Sequence, residues 1–545
     1  MRTIQHASER ALCSTILAFL VMGVASIIAS VPVHTTSTIN VDIQTNASDS
    51  AFLIQDWNTT WAFGTDDDDG NDIAMYNGLL YATGYAGSLG GLGSDQCDAW
   101  FACLTTAGNV VWNKTWSNGG YEEGNAICVT SNYVYIGGDS YNPSTGNSTT
   151  FLLQLDMNGN FIWARSFGYA NWKHAAIKDL TMNGTSVFAC GLYQVVSHTD
   201  NDAFIVEYAS NGTAVWSNLY HPSYNNVLNQ IIVIGDKIYT AGTYTDPGKM
   251  HFQIDDKIGT IYPFYDYGNS TIESSCNGMA IAGGYVYLAG TTNQTAGHNI
   301  DMLLVKLTMN CVQAWNKTYH NVDREWGYGV AVDGSNVYLI GQIDSVSMSF
   351  QGSMERYNTD GTLLDNLTWG GPSYDEANSM AVSGCNIYVI GGRCYTTGLD
   401  WEPSVTRFVL NTAPAITSPA DVHATTSSTG NALSWTINDL SIKTTHYSVT
   451  KNGTGMKNGT WASGDVISVS IDGLAAGTYD FTILAQDGFG LSATDSALVT
   501  ITTSEASDTT TIVVIVVVIA AVGGGVVVLF LLNKKGIINL KPKRG

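Results

Sequence analysis

A single pattern returns seven times in this chain and leaves few architectures open to it. An apolar run ends in an aromatic residue followed three positions later by glycine: LLYATG, YVYIGG, SVFACG, KIYTAG, YVYLAG, NVYLIG and NIYVIG. The aromatics are Tyr81, Tyr135, Phe188, Tyr239, Tyr287, Tyr338 and Tyr388, at spacings of 54, 53, 51, 48, 51 and 50 residues. The matching glycines are Gly84, Gly138, Gly191, Gly242, Gly290, Gly341 and Gly391. A period near fifty residues marks an array built from one supersecondary unit. Each unit continues in the same way. A loop leads to an alternating strand such as AFIVEY or MLLVKL, a short turn follows, and a last strand carries Trp112, Trp163, Trp216 or Trp315. That turn holds Asn158-Gly159, Asn211-Gly212 or Asp360-Gly361. Such dipeptides favour two-residue hairpins, in which both turn residues take positive φ.

Four short antiparallel strands are the content of one propeller blade. The ends of the array support closure. The seventh repeat has three strands, NSMAVS, NIYVIGG and VTRFVLN, and lacks a Trp strand, whereas the orphan QDWNTTWAFG (55–64) matches VWNKTWSNGG. The N-terminal segment is expected to complete the last blade, removing the unpaired edges that an open array would expose. The expected fold is therefore all-β: a seven-bladed β-propeller of four-stranded blades over residues 51–412.

The unit resembles the seven-bladed propeller repeats of secreted bacterial and archaeal proteins. Asp301-Met302-Leu303-Leu304-Val305-Lys306-Leu307 and Asp202-Ala203-Phe204 carry the likeness, which covers 51–412. Blade four departs from it, with Tyr262 in place of the Trp and KMHFQI without the Asp. The resemblance implies a fold and export, and no chemistry.

Both ends of the chain point to a membrane. Arg2 and Arg10 precede an apolar run from Ala11 to Ile28 and small residues at 29–30. Residues 1–30 read as a signal peptide, removed on export or retained as an anchor. Residues 512–532, IVVIVVVIAAVGGGVVVLFLL, hold no charge over 21 residues, enough for a transmembrane helix. The basic segment 533–545, with Lys534, Lys535, Lys541, Lys543 and Arg544, is then the cytoplasmic tail of a single-pass protein of the cell membrane. Twelve Asn-x-Ser/Thr sequons lie between the two ends, as in an exported glycoprotein. Eight cysteines outside the signal region permit disulfides, in any of 105 pairings.

Residues 413–503 change character. Pro414 and Pro419 mark a linker, and five strand-like runs follow. They predict a β-sandwich resembling fibronectin type III and immunoglobulin-like domains, with Trp435 in its core and LAAGTY (474–479) similar to a tyrosine corner. Residues 504–511 form a polar stalk.

Between residues 31 and 511 stand 16 basic and 45 acidic residues, a net charge of −29 that repels phosphate backbones and argues against a nucleic-acid partner. The sialidase reading lacks an arginine cluster, and no Gly-x-Ser-x-Gly, His-Glu-x-x-His or phosphate loop occurs. The expectation is a non-enzymatic surface protein that binds a glycan or a protein; a structural envelope role and an extracellular hydrolase are the alternatives. Long loops between second and third strands share one face with the blade-to-blade connections, so recognition is expected there. Tyr85, Tyr141, Tyr193, Tyr244, Tyr395 and Trp401 lie on these loops as candidate ligand contacts. Acids stand thirteen residues before the blade aromatic at Asp68, Glu122, Glu325 and Asp375. They fit two roles: hydrogen bonds to the blade connection, or, at Asp66, Asp67, Asp68, Asp69 and Asp72, oxygen ligands for Ca²⁺. No other cofactor is expected.

Overall fold

The computed structural model describes residues 51–504, apart from 62, 64–67, 88–96, 198–199, 221–224, 246–247, 259–261, 270, 294–299, 321–323, 345–349, 371–373, 395–400, 441–442 and 444, together with 513–519, 526–533 and 536–538. The expected signal peptide lies outside them. The chain divides into one unit ending at Ala413 and a second beginning at Pro414.

The first unit is all-β. Among its described residues are seven four-stranded antiparallel sheets, six of them built from four consecutive strands. The inner strands are Asp68–Tyr76, Tyr121–Val129, Trp172–Asn183, Asn226–Ile234, Ser274–Ala282, Glu325–Asp333 and Ser379–Ser383. Each packs on the next, and Ser379–Ser383 packs back on Asp68–Tyr76. This arrangement fits a β-propeller. The seventh sheet is completed from the N-terminus as expected: Phe52–Thr60 pairs antiparallel with Trp401–Asn411, with Leu53 opposite Leu410 and Thr60 opposite Ser404.

Two repeated contacts explain the repeated residues. At the seven pattern glycines a Cβ would lie 1.8–2.1 Å from a carbonyl oxygen of the adjacent inner strand, as Gly290 to Ser275 O at 1.8 Å shows. No side chain fits there. Four tryptophans staple a sheet to its successor. Trp112 lies over Gly159, Trp163 over Gly212 and Trp315 over Gly361, the turn glycines of the following sheet. Trp57 of the N-terminal strand lies over Gly108 of the first sheet in the same way.

The turns correct one expectation. Asn158-Gly159 and its equivalents are not two-residue hairpins. Only the glycines have positive φ (Gly159 72°, Gly212 79°, Gly361 81°). Gly159 N donates to Asp156 O, Asp156 N donates to Asn160 O, and the ladder slips between Gln154 and Leu155. This is a longer loop with glycine at its bulge, held by Asp156 Oδ1, which accepts from Asn158 N and Asn160 N at 2.8 Å. Both residues have positive φ at Asn77-Gly78 (49° and 75°) and Asn452-Gly453 (50° and 77°). Blade four departs as its sequence does: its outer strand is only Phe264–Tyr267, and Tyr262 donates to Asp256 Oδ2.

All eight described cysteines are buried, and Cys97, Cys103, Cys128, Cys190, Cys276 and Cys311 are free thiols, so no disulfide joins these six. They behave as small apolar residues.

In the second unit, a three-stranded and a five-stranded sheet share one core around Leu433, Trp435, Val449, Phe481, Ile483 and Val499. Tyr479 donates its hydroxyl to Ala475 O at 3.0 Å, the bond that defines a tyrosine corner. Of the run 512–532, expected as a helix, residues 512 and 520–525 lie outside the described residues. Val513–Ile519 and Val526–Asn533 pair antiparallel, and no helix among the described residues is long and apolar enough to cross a membrane. β-branched Val and Ile, which fill most of the two described strands, favour extended structure as readily as a helix.

Candidate functional site

The inner strands surround a passage of about 780 Å³, lined in part by Asn71, Asn125, Lys178, Asn229, Asn277 and Asn378. These residues stand ten positions before the blade aromatic, with Tyr328 at the seventh place. At six of the seven places the residue occupies a bulge in the ladder. The bulge turns its side chain out of the pairing and toward the neighbouring sheet. Five asparagines donate Nδ2 to a main-chain oxygen of the next sheet. They are Asn71 to Gly124 (3.1 Å), Asn125 to Ile177 (3.0 Å), Asn229 to Cys276 (2.8 Å), Asn277 to Gly327 (2.8 Å) and Asn378 to Gly70 (3.0 Å). The last bond joins the seventh sheet to the first.

Above this circle, where the inner strands begin, acids gather on adjacent sheets. Asp69 and Glu376 share a hydrogen bond, and burial raises both carboxyls above the usual carboxylate range. Repulsion from Glu376 raises Asp69 further. Gln342 Nε2 donates to Glu376 Oε1 at 3.3 Å, and Tyr328 donates to Gln342 Oε1 at 3.0 Å. On the second sheet, burial and mutual repulsion raise Glu123, and burial raises Asp139. Lys178 offsets part of each shift.

A line of four half-buried aromatic rings runs up to this network. Trp326 and Phe350 lie 5.5 Å apart, Phe350 and Tyr374 5.5 Å, and Tyr374 and Trp401 5.8 Å. Arg324 lies 5.3 Å over Trp326. Network and rings meet at Gly392, where a Cβ would lie 2.6 Å from Asp69 Oδ1 and 2.7 Å from Trp401 Cε3.

The expected contacts divide. Tyr85 is half-buried at the mouth, with its ionisation opposed first by burial and then by Asp69, Glu376 and Glu123. Trp401 ends the aromatic line. Tyr141 is 36% exposed beside Tyr121 on the second sheet. Tyr193 is a correction, whereas Tyr244 is half-buried like Tyr85. Tyr193 is wholly buried and stacked on Trp172 at 4.2 Å. Tyr244 is stacked on His251 at 3.9 Å, and burial pushes its hydroxyl up to about 12. Tyr85 stands four residues after its blade aromatic, whereas Tyr193 and Tyr244 stand five after theirs. One residue in a strand reverses the face. Tyr395 lies outside the described residues.

Of the expected Ca²⁺ ligands, Asp66 and Asp67 lie outside the described residues. The other three serve different partners. Asp68 accepts from Phe63 N at 2.8 Å and Gly87 N at 2.9 Å, holding the connection between sheets. Asp69 faces the mouth. Asp72 accepts from Ser379 Oγ at 2.7 Å and Ile127 N at 2.8 Å on the two neighbouring sheets. Glu122 repeats the role of Asp68, accepting from Ser117, Gly120 and Ser140. The asparagine circle and the aromatic line were missed by sequence reasoning. The fixed offset of ten residues was visible for the circle; the line joins residues from separate loops and strands and has no sequence period.

No family model and no curated protein matches this chain. Similar solved structures include the β-propeller domain of the Trilobed protease from Pyrococcus furiosus (8% identity, TM-score 0.39, 63% of this chain and 94% of that one). A subtype N11 neuraminidase-like protein of A/flat-faced bat/Peru/033/2010 is similar at 11% identity and TM-score 0.38, over 58% of this chain and 96% of that one. An acylaminoacyl peptidase from Pyrococcus horikoshii is similar at 9% identity and TM-score 0.37, over 66% and 60%. Identities this low say nothing about chemistry.

Proposed function

We propose that this chain is a single-pass surface protein whose sheets close as a seven-bladed β-propeller, and that the loop-bearing mouth of the propeller binds a glycan. The observation that carries the reading is the meeting of four aromatic rings with a carboxyl–amide network at Gly392. Sugars present C–H faces that stack on aromatic rings and hydroxyls that pair with carboxyl and amide groups. The overall net charge of −23 favours neutral or amino sugars over anionic ones. The fibronectin type III or immunoglobulin-like reading of 413–503, supported by the tyrosine corner, makes that unit a spacer above the stalk. The membrane tether rests on the charge-free run 512–532 and the basic tail after it.

Binding is favoured over hydrolysis by the same geometry. Glycosidases separate their two carboxyls by roughly 5 Å or more so that the sugar lies between them. Asp69 and Glu376 are instead hydrogen-bonded to each other. The test is a glycan array followed by calorimetry with the full-length chain in detergent. Saturable binding weakened roughly tenfold by Trp401→Ala, about 1.4 kcal/mol, is expected. Absence of saturable binding to any glycan sinks the reading and leaves the structural envelope role.

A further inference from the structure

We propose that Asp301, His320 and Glu325 form a binding site for a divalent transition-metal cation of the Zn²⁺ class, which pins the fifth sheet to the sixth. Asp301 opens the third strand of the fifth sheet (Asp301–Thr308), His320 follows that sheet's outer strand (Gln313–Tyr319), and Glu325 opens the inner strand of the sixth. His320 Nδ1 lies 2.9 Å from Asp301 Oδ1 and 3.3 Å from Glu325 Oε2. One donor atom from each side chain lies within 4.8 Å of the others. The main chain fixes this convergence, because Glu325 N donates to Ile300 O at 2.7 Å.

The donors are built in rather than scattered on a surface. Asp301 is 2% exposed and Glu325 0%, while the His320 side chain is 41% exposed and leaves a way in.

The donor set selects the metal. One imidazole nitrogen and two carboxylate oxygens suit a tetrahedral Zn²⁺, with a fourth position for water. Ca²⁺ prefers six to eight oxygens and is a poorer match. The site is separate from the aromatic line and does not depend on the glycan reading.

The full-length chain, stripped with chelator and dialysed, is titrated with ZnCl₂ by calorimetry and thermal melting. One equivalent of Zn²⁺ is expected to bind and raise Tm, and Co²⁺ in its place to give a visible d–d absorption band. His320→Ala, at a half-exposed position that the fold tolerates, is expected to abolish the band. It should weaken Zn²⁺ by more than the roughly 10–100-fold lost on changing an outer-shell partner. Asp301→Asn is expected to weaken binding in the same direction. Failure of the wild-type chain to bind Zn²⁺ overturns the proposal, with His320 then serving only as an ion-pair partner. Zn²⁺ affinity left unchanged by His320→Ala overturns it equally.

Discussion

Glycine at the end of each repeat pattern does one physical thing. Its hydrogen leaves room for a carbonyl oxygen two residues before the inner-strand bulge, such as Trp326 O, 1.8 Å from a Cβ on Gly341. The nearby turn glycines serve differently: Gly334 has φ 57° with open space around it. Gly290→Ala is therefore expected to cost more than about 2–3 kcal/mol through forced overpacking, and Gly334→Ala about 1–2 kcal/mol through strain alone. Urea denaturation midpoints of the two variants decide the point; equal losses would refute it. The cysteines make a second residue-scale case. Burial raises the thiols of Cys97, Cys128, Cys190 and Cys276 well above their ordinary range. A maleimide probe is expected to label none of the six free thiols in the native chain and all of them after unfolding in urea.

Among elements, the N-terminal strand carries the most consequence for its length. Among the described residues, Phe52–Thr60 is the one strand that pairs with the outer edge of Trp401–Asn411. It also reaches the sixth sheet, where Leu53 N donates to Asp365 Oδ2 at 2.7 Å and Arg356 Nη2 donates to Ala51 O at 2.8 Å. Asp56 pairs with Arg407 at 2.8 Å. Deleting residues 51–60 exposes an eleven-residue edge strand and removes the Trp57 staple on Gly108. The expected result is aggregation or loss of the cooperative melt, read by size-exclusion chromatography and calorimetry. A monomer with an unchanged Tm would show that closure contributes little. Asn378, whose bond to Gly70 joins the same two sheets, tests closure more gently. Asn378→Ala is expected to lose about 0.5–1.5 kcal/mol, and Asn71→Ala about the same, because both remove one bond of one kind.

Across the whole molecule, buried carboxyls set the response to pH. Glu355, Asp69, Glu376, Asp179, Glu123 and Asp139 are all raised above their unfolded values, with burial the largest cause in each. A carboxyl raised in the fold binds a proton there more tightly than in the unfolded chain. Its contribution is complete below the unfolded pKa and is lost as pH rises through the folded one. For Glu355 that window runs from 4.5 to about 8. Repulsion within a chain of net charge −23 acts in the same direction. Asp156 and Asp472, lowered by hydrogen bonds, oppose it from the fully exposed surface, where screening makes their effect small. The unfolding midpoint is expected to be higher at pH 5 than at pH 8, and Glu355→Gln to narrow the gap. A midpoint that rises steadily from pH 5 to pH 8 would contradict this account.

The four-stranded sheets, their strand order and the N-terminal source of one sheet's fourth strand were legible from the sequence because each is written locally. An aromatic and a glycine recur at a fixed offset, hairpins join neighbours in order, and the spare Trp strand lies at the wrong end of the chain. The tyrosine corner was legible for the same reason, since Tyr479 and Ala475 are four residues apart. What the tertiary structure decided are contacts between parts distant in sequence. Tyr85 reaches the mouth while Tyr193 enters the core, because the strand period is two and a loop does not advertise its register. Asp69 and Glu376 meet although they stand 307 positions apart along the chain, and Trp401 joins their network only because the last sheet returns beside the first. Local pattern fixes which strands form and in what order. Which side chains then face one another depends on how the sheets pack, where one position of shift reverses a strand's face.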